Sequence, residues 1–145
     1  MIRPATSADL VAIGRLYEEW IAEDITWFVE IPTLAEKLGP FFLVYEENDV
    51  VTGFVIGEKK HHAFFFNEKP EDPLQILDLY VARSHRGNGI GTAMMKALLA
   101  EANANGVAHF TVHTANKNAL ETYRFYERFG FTPNWLEMFR LGEGG

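Results

Sequence analysis

The sequence predicts a single α/β domain, and three observations support this prediction. Segments rich in strand-forming residues alternate along the chain with amphipathic helical patterns. One of the strand patterns runs directly into a glycine cluster that opens a helix, an order found in α/β domains. The length of 145 residues, of which 48% are hydrophobic, is enough for one hydrophobic core and too short for two.

The first 60 residues predict a small sheet packed on helices. In order, the predicted elements are a short opening strand, a helix over residues 6–22, a helical segment over 32–38, and strands over 41–45 and 50–56. The first helix starts at Thr-Ser-Ala-Asp and repeats apolar residues at helical spacing. Pro32 suits the first turn of the second segment, and polar residues 46–49 join the two strands as an antiparallel hairpin.

The remainder predicts further strands and helices around the glycine cluster. In order, they are a loop over 67–73, a strand over 74–81, a helix over 90–105, a strand over 107–114, a helix over 118–129 and a final strand pair within 131–141. Asn105-Gly106 suits the end of the helix before it, and Gly130 stops the last helix. The order of strand, glycine-rich turn and helix at 74–105 is the most informative part of the chain.

Residues 86–91, Arg-Gly-Asn-Gly-Ile-Gly, predict an anion site. A turn that leaves a strand and opens a helix presents unpaired backbone N–H groups at the positive end of the helix dipole. The glycines let the backbone approach an anion closely, and Arg86 adds a positive charge at the edge of the turn. Phosphate is the guest that such a turn favours.

The glycine spacing separates three phosphate-binding motifs. The dinucleotide fingerprint requires Gly or Ala where this chain has Thr92 or Met94, depending on the register. The nucleoside-triphosphate loop requires Gly-Lys-Ser/Thr, whereas Gly91 is followed by Thr92 and the next lysine is Lys96. Both motifs are excluded, and the pattern that remains is Arg-x-x-Gly-x-Gly.

This pattern, after a strand that ends in Leu-Tyr-Val and before an amphipathic helix, resembles the signature of the Gcn5-related N-acetyltransferase (GNAT) superfamily. Residues 116–131 resemble the family's later helix with its Tyr-x-x-x-Gly-Phe ending, here Tyr-Glu-Arg-Phe-Gly-Phe at 126–131. Residues 2–5 followed by Asp9 resemble the family's start. The resemblance covers the whole chain as one domain and is strongest over 77–131.

The resemblance implies a fold and a cofactor. The fold is α/β (α+β), with a mixed, mostly antiparallel central sheet of about six to seven strands flanked by about four helices. The cofactor, acetyl-CoA, is expected in the splay between the fourth and fifth strands, with its pyrophosphate on the loop amides and its pantetheine arm along the preceding strand. The residues assigned to it are Leu79, Tyr80, Val81, Arg86, Gly87, Asn88, Gly89, Ile90, Gly91, Thr92, Asn116, Asn118 and Tyr126.

The acid that protonates the departing thiolate is expected on the last helix. The resemblance places the family's tyrosine acid at Tyr126, and a phenol stays protonated at neutral pH. Tyr123 is a rival, because it lies three residues earlier on nearly the same helix face and at the family's usual interval from Asn116. The other reading is that both tyrosines are packed core. Asn118 or Asn116 is expected to bond the pantetheine arm, with a helix N-cap as the alternative.

The general base is the least determined part of the predicted site. Some family members use a glutamate where this chain has Gln75, which cannot accept a proton, so Asp78 is the only acid in that strand. The resemblance to polyamine-acetylating relatives lets Asp78 orient a cationic substrate, and the alternative is a structural acid. Glu18, Glu19, Glu23 and Asp24 either line a substrate cleft or form a solvated helix face.

Composition excludes several classes of protein. The net charge of −7, without a run of Lys or Arg, argues against a nucleic-acid partner and suits a cationic substrate. With no cysteine, a disulfide, a thiolate metal site and a cysteine acyl-enzyme are all excluded. The five histidines lack metal-ligand spacing with a carboxylate, so no metal is expected. No segment has the length of a membrane span, and we expect a cytoplasmic protein without a membrane partner.

The resulting expectation is an N-acetyltransferase that moves the acetyl group to a primary amine of a small cationic molecule by direct attack in a ternary complex. Two alternatives remain: a protein or peptide N-acetyltransferase, and a module that binds acetyl-CoA without turnover. The aromatic segment at 61–66, His-His-Ala-Phe-Phe-Phe, predicts a homodimer surface, because three successive Phe residues cannot all face one core from a strand.

Overall fold

The computed structural model describes residues 1–61, 72–134 and 136–142. The strands are β1 Ile2–Pro4, β2 Phe42–Glu47, β3 Val50–Lys59, β4 Leu74–Val81 and β5 Phe110–Val112. The helices are α1 Leu10–Glu23, α2 Leu34–Lys37, α3 Ile90–Ala104 and α4 Ala119–Glu127, with short 3-10 turns at Ser7–Asp9 and Arg83–His85. The sheet order is β1-β2-β3-β4-β5, antiparallel except for the parallel pair β4 and β5.

The sequence predicts the antiparallel part of this sheet closely. Asn48 and Asp49 both take left-handed backbone conformations, with φ of 52° and 64°, as a two-residue hairpin turn between β2 and β3 requires. At the start of the chain, Arg3 bonds Asp9 at 2.7 Å and 2.9 Å, and Asp9 accepts a bond from the Thr6 amide at 2.8 Å. This capping box fixes where the first helix begins.

Strand β4 carries one extra residue, Leu77. On β3, Ile56 pairs with Asp78 while its neighbour Gly57 pairs with Ile76, so Leu77 has no partner of its own. A β-bulge of this kind bends the strand and increases its local twist. The parallel ladder with β5 covers only the three residues 74–76, so the two strands separate after the bulge and a cleft opens between them.

The two faces of the sheet carry separate clusters of buried residues. One cluster lies under α1 and includes Ile13, Tyr17, Phe42, Phe54 and Ile56, each fully buried. The other lies under α3, where the fully buried residues are Val55, Leu74, Met94, Met95, Leu98 and Ala102. Burial of this much apolar area holds α1 and α3 firmly against the sheet, and both helices adjoin the cleft.

The structure corrects several expected boundaries. The second helical segment is limited to α2, with Pro32 outside it, and β5 is three residues long rather than eight. Residues 131–134 and 136–142 contain no strand, so the expected final strand pair is wrong for the part of the tail that the structure describes. Five strands are therefore present in the described chain, against about six to seven expected. The predicted dimer surface at 61–66 lies, except for His61, outside the described residues.

Candidate active site

The cleft between β4 and β5 brings most of the predicted site residues together. The second half of β4 forms one wall, and the segment from β5 to α4 forms the other. The glycine turn lies at one end of the cleft. The residues that follow α1 cross the cleft. There the Trp27 amide donates to the Ala115 carbonyl at 2.9 Å, and the Lys117 amide donates to the Ile25 carbonyl at 2.9 Å. Backbone from both halves of the chain therefore lines the same space.

The glycine turn has the geometry expected of an anion site. Gly87 and Gly89 take left-handed conformations, with φ of 83° and 76°, which residues with a side chain adopt at a cost of about 1–2 kcal/mol. A Cβ placed on either glycine would meet no heavy atom within 4 Å, so the space over the turn is open. The first amides of α3 have no acceptor within the helix and face this space as unpaired donors.

Arg86 is held by α1 rather than left free beside the turn. Its Nη1 and Nη2 donate to the two carboxylate oxygens of Glu23 at 2.7 Å and 2.5 Å, and its Nε donates to the Val81 carbonyl at 3.0 Å. Hydrogen bonds from Arg86 hold the pKa of Glu23 below its ordinary value, against the opposing effect of burial. The positive charge that the sequence predicts at the edge of the turn is present, but it is paired, and its action on a phosphate stays a prediction.

Tyr80, on β4, contacts both members of the Arg86–Glu23 ion pair. Its side chain is buried, and the Arg86 guanidinium lies 5.2 Å from its ring centroid. The single proton of its hydroxyl is shared between the carboxylates of Glu19, at 2.9 Å, and Glu23. Trp20 stacks on the same ring at 5.1 Å. The sequence assigned Tyr80 a main-chain role only. Its side chain links α1, β4 and the glycine turn, a role that no local pattern in the sequence signals.

Asp78 lies two residues before Tyr80 and therefore on the same face of β4, the face that packs under α1. The hydroxyl of the fully buried Tyr17 donates to Asp78 Oδ2 at 2.5 Å. Burial raises the pKa of Asp78 to about 6, the hydrogen bond from Tyr17 opposes that rise, and the charge of Glu30 adds to it. A carboxyl group with this pKa is ionised at neutral pH and still accepts a proton readily. Tyr17 was not recognised in the sequence, where it falls within an ordinary apolar helix stripe.

The two rival tyrosines of α4 differ in environment. Tyr126 is half-buried, packed at 5.0 Å from Phe125 and 5.6 Å from Phe131, and burial followed by the Asp78 charge raises its pKa. Tyr123 is 41% exposed and donates its hydroxyl proton to Glu127 at 2.8 Å. The Asp78 charge therefore acts on Tyr126, and the Tyr123 hydroxyl is already engaged on the surface of the helix.

Asn116 and Asn118 make local hydrogen bonds at the start of α4. Asn118 is the N-cap residue, and its side chain accepts from the Glu121 amide at 3.3 Å and donates to the Glu121 carboxylate at 2.7 Å. The Asn116 side chain accepts from the Asn118 amide at 2.8 Å. The capping alternative is therefore observed, and a role toward a cofactor stays a prediction for both residues.

Two further features bear on the class of site. Within the described ranges, no group of three or more His, Asp or Glu side chains is arranged to hold a metal ion. The helices described here are too short or too polar for any of them to cross a bilayer.

The bulged strand and the splayed parallel pair define an α/β domain with an open glycine turn at the end of a cleft. Residues 10–131 match the family model described as the acetyltransferase (GNAT) family. The chain therefore belongs to the GNAT acetyltransferase family.

Two curated relatives match parts of the chain. The acetyl transferase GW6a of Oryza sativa subsp. japonica is 40% identical over 58 residues, which cover 40% of this chain and 14% of that protein. The uncharacterized N-acetyltransferase MJ1207 of Methanocaldococcus jannaschii is 31% identical over 104 residues, which cover 67% of this chain and 43% of that protein. The matches thus span less than half the length of either relative.

Solved structures share the fold at low sequence identity. A predicted acetyltransferase from Clostridium acetobutylicum, crystallised with acetyl-CoA, superposes with a TM-score of 0.72 at 19% identity, covering 95% of this chain and 94% of that one. Aminoglycoside N-acetyltransferase AAC(6')-Iy in complex with CoA gives 0.69 at 14% identity, covering 99% of both chains. Arabidopsis thaliana Naa50, bound to a bisubstrate analogue that joins CoA to an acetylated peptide, gives 0.69 at 19% identity, covering 90% and 81%.

Proposed function

We propose that this chain is an acetyl-CoA-dependent N-acetyltransferase that acetylates a primary amine of a small cationic molecule by direct attack in a ternary complex. The observation that carries the proposal is that Asp78 lies on β4, the glycine turn follows the end of β4, and both line one cleft. A proton acceptor and an anion site are thereby held at a fixed separation by the sheet.

The fit of the cofactor rests on the backbone. The open space over Gly87 and Gly89 admits a pyrophosphate against the unpaired amides that begin α3. Beyond Ile76 the ladder with β5 has ended, so main-chain groups of 79–81 on that side can bond the amides of a pantetheine arm. The Val81 carbonyl is the exception, because it already accepts a bond from Arg86.

The chemistry divides among a few residues of the chain. The cofactor supplies a thioester whose carbonyl carbon the amine attacks. Asp78 takes a proton from the ammonium group, which leaves the nitrogen neutral and nucleophilic. A backbone N–H near Leu79 or Tyr80 stabilises the oxygen of the attacked carbonyl. When the C–N bond forms and the C–S bond breaks, Tyr126 would donate its proton to the leaving sulfur, and the surplus proton on the nitrogen would pass to the Tyr126 phenolate, which leaves a neutral amide and a free thiol. Asp78 would then release its proton to solvent. No cysteine is present to carry the acetyl group in between.

The preference for a small cation is supported by charge. The chain carries a net charge of −7, and Glu30 adds a second negative charge beside Asp78. Such a field favours a cationic amine over a neutral one. The structural neighbours include an aminoglycoside N-acetyltransferase and a protein bound to a peptide bisubstrate analogue. The experiment must therefore also detect peptide acetylation.

The test follows release of free thiol from acetyl-CoA with small di- and polyamines, aminoglycosides and short peptides as acceptors. We expect turnover with at least one small cationic amine, and a fall in kcat of about 100-fold in Tyr126→Phe, because general acid catalysis is lost. Tyr123→Phe is the matched control and should stay within twofold. Turnover with peptides alone would replace the small-amine assignment by peptide acetylation. Failure of acetyl-CoA to bind at micromolar concentration in calorimetry would contradict the proposal altogether.

A further inference from the structure

The hydrogen bond between Tyr17 and Asp78 joins the middle of α1 to the wall of the cleft. Tyr17 is fully buried, and its ring is fixed between Trp20, at 5.8 Å and nearly parallel, and Phe54, at 4.8 Å. Its hydroxyl therefore has little freedom to leave Asp78 Oδ2, which lies 2.5 Å away. A buried side chain held on both faces of its ring fixes the position of the group that it bonds.

The two oxygens of Asp78 are consequently unlike one another. Oδ2 accepts from Tyr17, whereas no residue in the described part of the chain donates a hydrogen bond to Oδ1. Burial raises the pKa of Tyr17, so its phenol keeps its proton and remains a donor at every pH near neutrality. With Oδ2 occupied as an acceptor, a proton that arrives at the carboxylate from the cleft binds Oδ1.

We propose that Tyr17 is a positioning residue for the acceptor site: from α1 it holds one oxygen of Asp78 and directs the proton of the incoming amine to the other. The inference rests on the proposed function, in which Asp78 receives that proton. Tyr17 itself does not touch the substrate and acts through Asp78.

The pairing also sets the pH range in which Asp78 works. Among the described residues, the ionisable groups that act on its carboxyl are Tyr17 from α1 and Glu30 from the segment after α1, and the Asp78 charge in turn acts on Tyr126 from α4. Of these effects, burial and Glu30 favour the protonated acid, and only the Tyr17 hydrogen bond favours the carboxylate. Removal of that hydrogen bond leaves the two opposing effects unbalanced, so the pKa of Asp78 rises.

The experiment measures kcat/KM against pH for Tyr17→Phe, which keeps the ring and removes the hydroxyl. We expect the acidic limb of the profile, near pH 6 in the parent protein, to move up by about one unit, since a hydrogen bond to a charged group is lost. Activity at pH 6 then falls about fivefold, activity at pH 9 matches the parent protein, and the KM for acetyl-CoA does not change. A loss of equal size at every pH would show a merely structural role and overturn the inference.

Tyr45→Phe is the matched control, because Tyr45 is a half-buried sheet tyrosine whose hydroxyl makes no hydrogen bond to the described residues. It should leave the acidic limb in place. If it moved the limb as far as Tyr17→Phe does, the effect would not belong to the Tyr17–Asp78 bond.

A measurement without turnover separates this inference from the proposed function and also covers a Tyr17→Phe variant that fails to fold. A carbon-13 titration of the aspartate carboxyls in the parent protein should show one group titrating near pH 6, with the Tyr17 ring signals moving in the same transition. If the ring signals do not follow that transition, the inference is wrong even where acetyl transfer is found. If they do follow it and no amine is acetylated, the pairing stands and the proposed function fails.

Discussion

Two tyrosine–carboxylate pairs connect α1 to β4, and they run in opposite directions. At one, the helix residue Tyr17 donates to the strand residue Asp78. At the other, the strand residue Tyr80 donates to the helix residue Glu23. The pKa of Asp78 is raised, whereas the pKa of Glu23 is lowered. Both carboxylates accept a phenol hydrogen bond that lowers the pKa, so the phenol does not explain the opposite shifts.

The difference lies in one arginine beside Glu23 and in burial, which has the largest effect on the pKa of Asp78 but not on that of Glu23. Arg86 forms two hydrogen bonds with Glu23, and its charge favours the ionised carboxylate. In the part of the chain that the structure describes, no cation acts on the carboxyl of Asp78 and Glu30 acts on it instead, so desolvation dominates. The same pair of residue types therefore forms an ion pair at the end of the cleft that is proposed for the cofactor, and a carboxyl with a raised pKa at the end that is proposed for the acceptor. Each of the following experiments tests whether that division holds.

The largest effect is expected from Asp78→Asn. The amide still accepts a bond from Tyr17 but cannot take a proton from the amine, so kcat/KM should fall by about 100-fold or more at pH 7 and above, where Asp78 of the parent protein is ionised. The dissociation constant for acetyl-CoA, measured by calorimetry, should not change. Asp49→Asn in the hairpin turn is the control, because both residue types tolerate its left-handed backbone. A tenfold weaker affinity for acetyl-CoA in Asp78→Asn would contradict the separation of the two ends.

The same variant should be more stable than the parent protein at alkaline pH. The folded-state pKa of about 6 lies above the ordinary value of about 3.9, so the stabilising contribution of protonated Asp78 is complete below pH 4 and is lost as pH rises through 6. At pH 8, Asp78→Asn should therefore increase the free energy of unfolding by about 2 kcal/mol. Urea unfolding at pH 4 and pH 8 measures this, and a gain of equal size at both pH values would contradict it.

Glu23→Gln should change the free energy of unfolding in the opposite direction. Because its pKa is lowered in the folded protein, the stabilisation from Glu23 is present above its unfolded pKa and is lost as pH falls through the lower, folded value. At pH 7 the substitution should reduce the free energy of unfolding by about 1–2 kcal/mol, a range that allows for the partial exposure of Arg86. Glu18→Gln, on the exposed face of α1, is the control and should have almost no effect.

The smallest effect is expected from the backbone of the glycine turn. Gly89→Ala introduces no collision, but φ of 76° strains a residue with a side chain, so stability should fall by about 1 kcal/mol. Gly14→Ala in α1 also meets nothing within 4 Å, and there the helical backbone should make alanine stabilising by about 0.5–1 kcal/mol. Thermal unfolding of the two variants compares them, and equal signs would contradict the argument from φ.

Local sequence patterns were sufficient for much of the fold. The bounds of β4 and the start of α3 agree with prediction, because alternation, helical spacing and glycine placement are local signals. The prediction of a strand pair in the tail is wrong. The apolar residues Leu136, Met138 and Leu141 suggest strands, but all three are exposed. Strand formation needs a partner strand, and no local pattern supplies one.

The site was only partly predictable for the same reason. The positions of Asp78 and the glycine turn follow from their place in β4 and at its end. The partners Tyr17 and Glu23 lie 61 and 63 residues from the side chains that they bond, and nothing in the neighbouring sequence indicates those contacts. One signal was available: the two polar residues of β4, Gln75 and Asp78, lie three residues apart rather than two, a change of phase that indicates the bulge.

The cleft depends on the one extra residue that β4 carries at the bulge. If Leu77 were deleted, Ile76 and Asp78 would become adjacent opposite Gly57 and Ile56, and every remaining side chain of β4 would keep its face. The strand would then lose the bend that turns it away from β5. A protein with every proposed catalytic group intact would have no room for its substrates, whereas replacing Leu77 by another apolar residue leaves that room in place. At position 77, evolution and protein engineering can therefore exchange one apolar residue for another but cannot delete the residue.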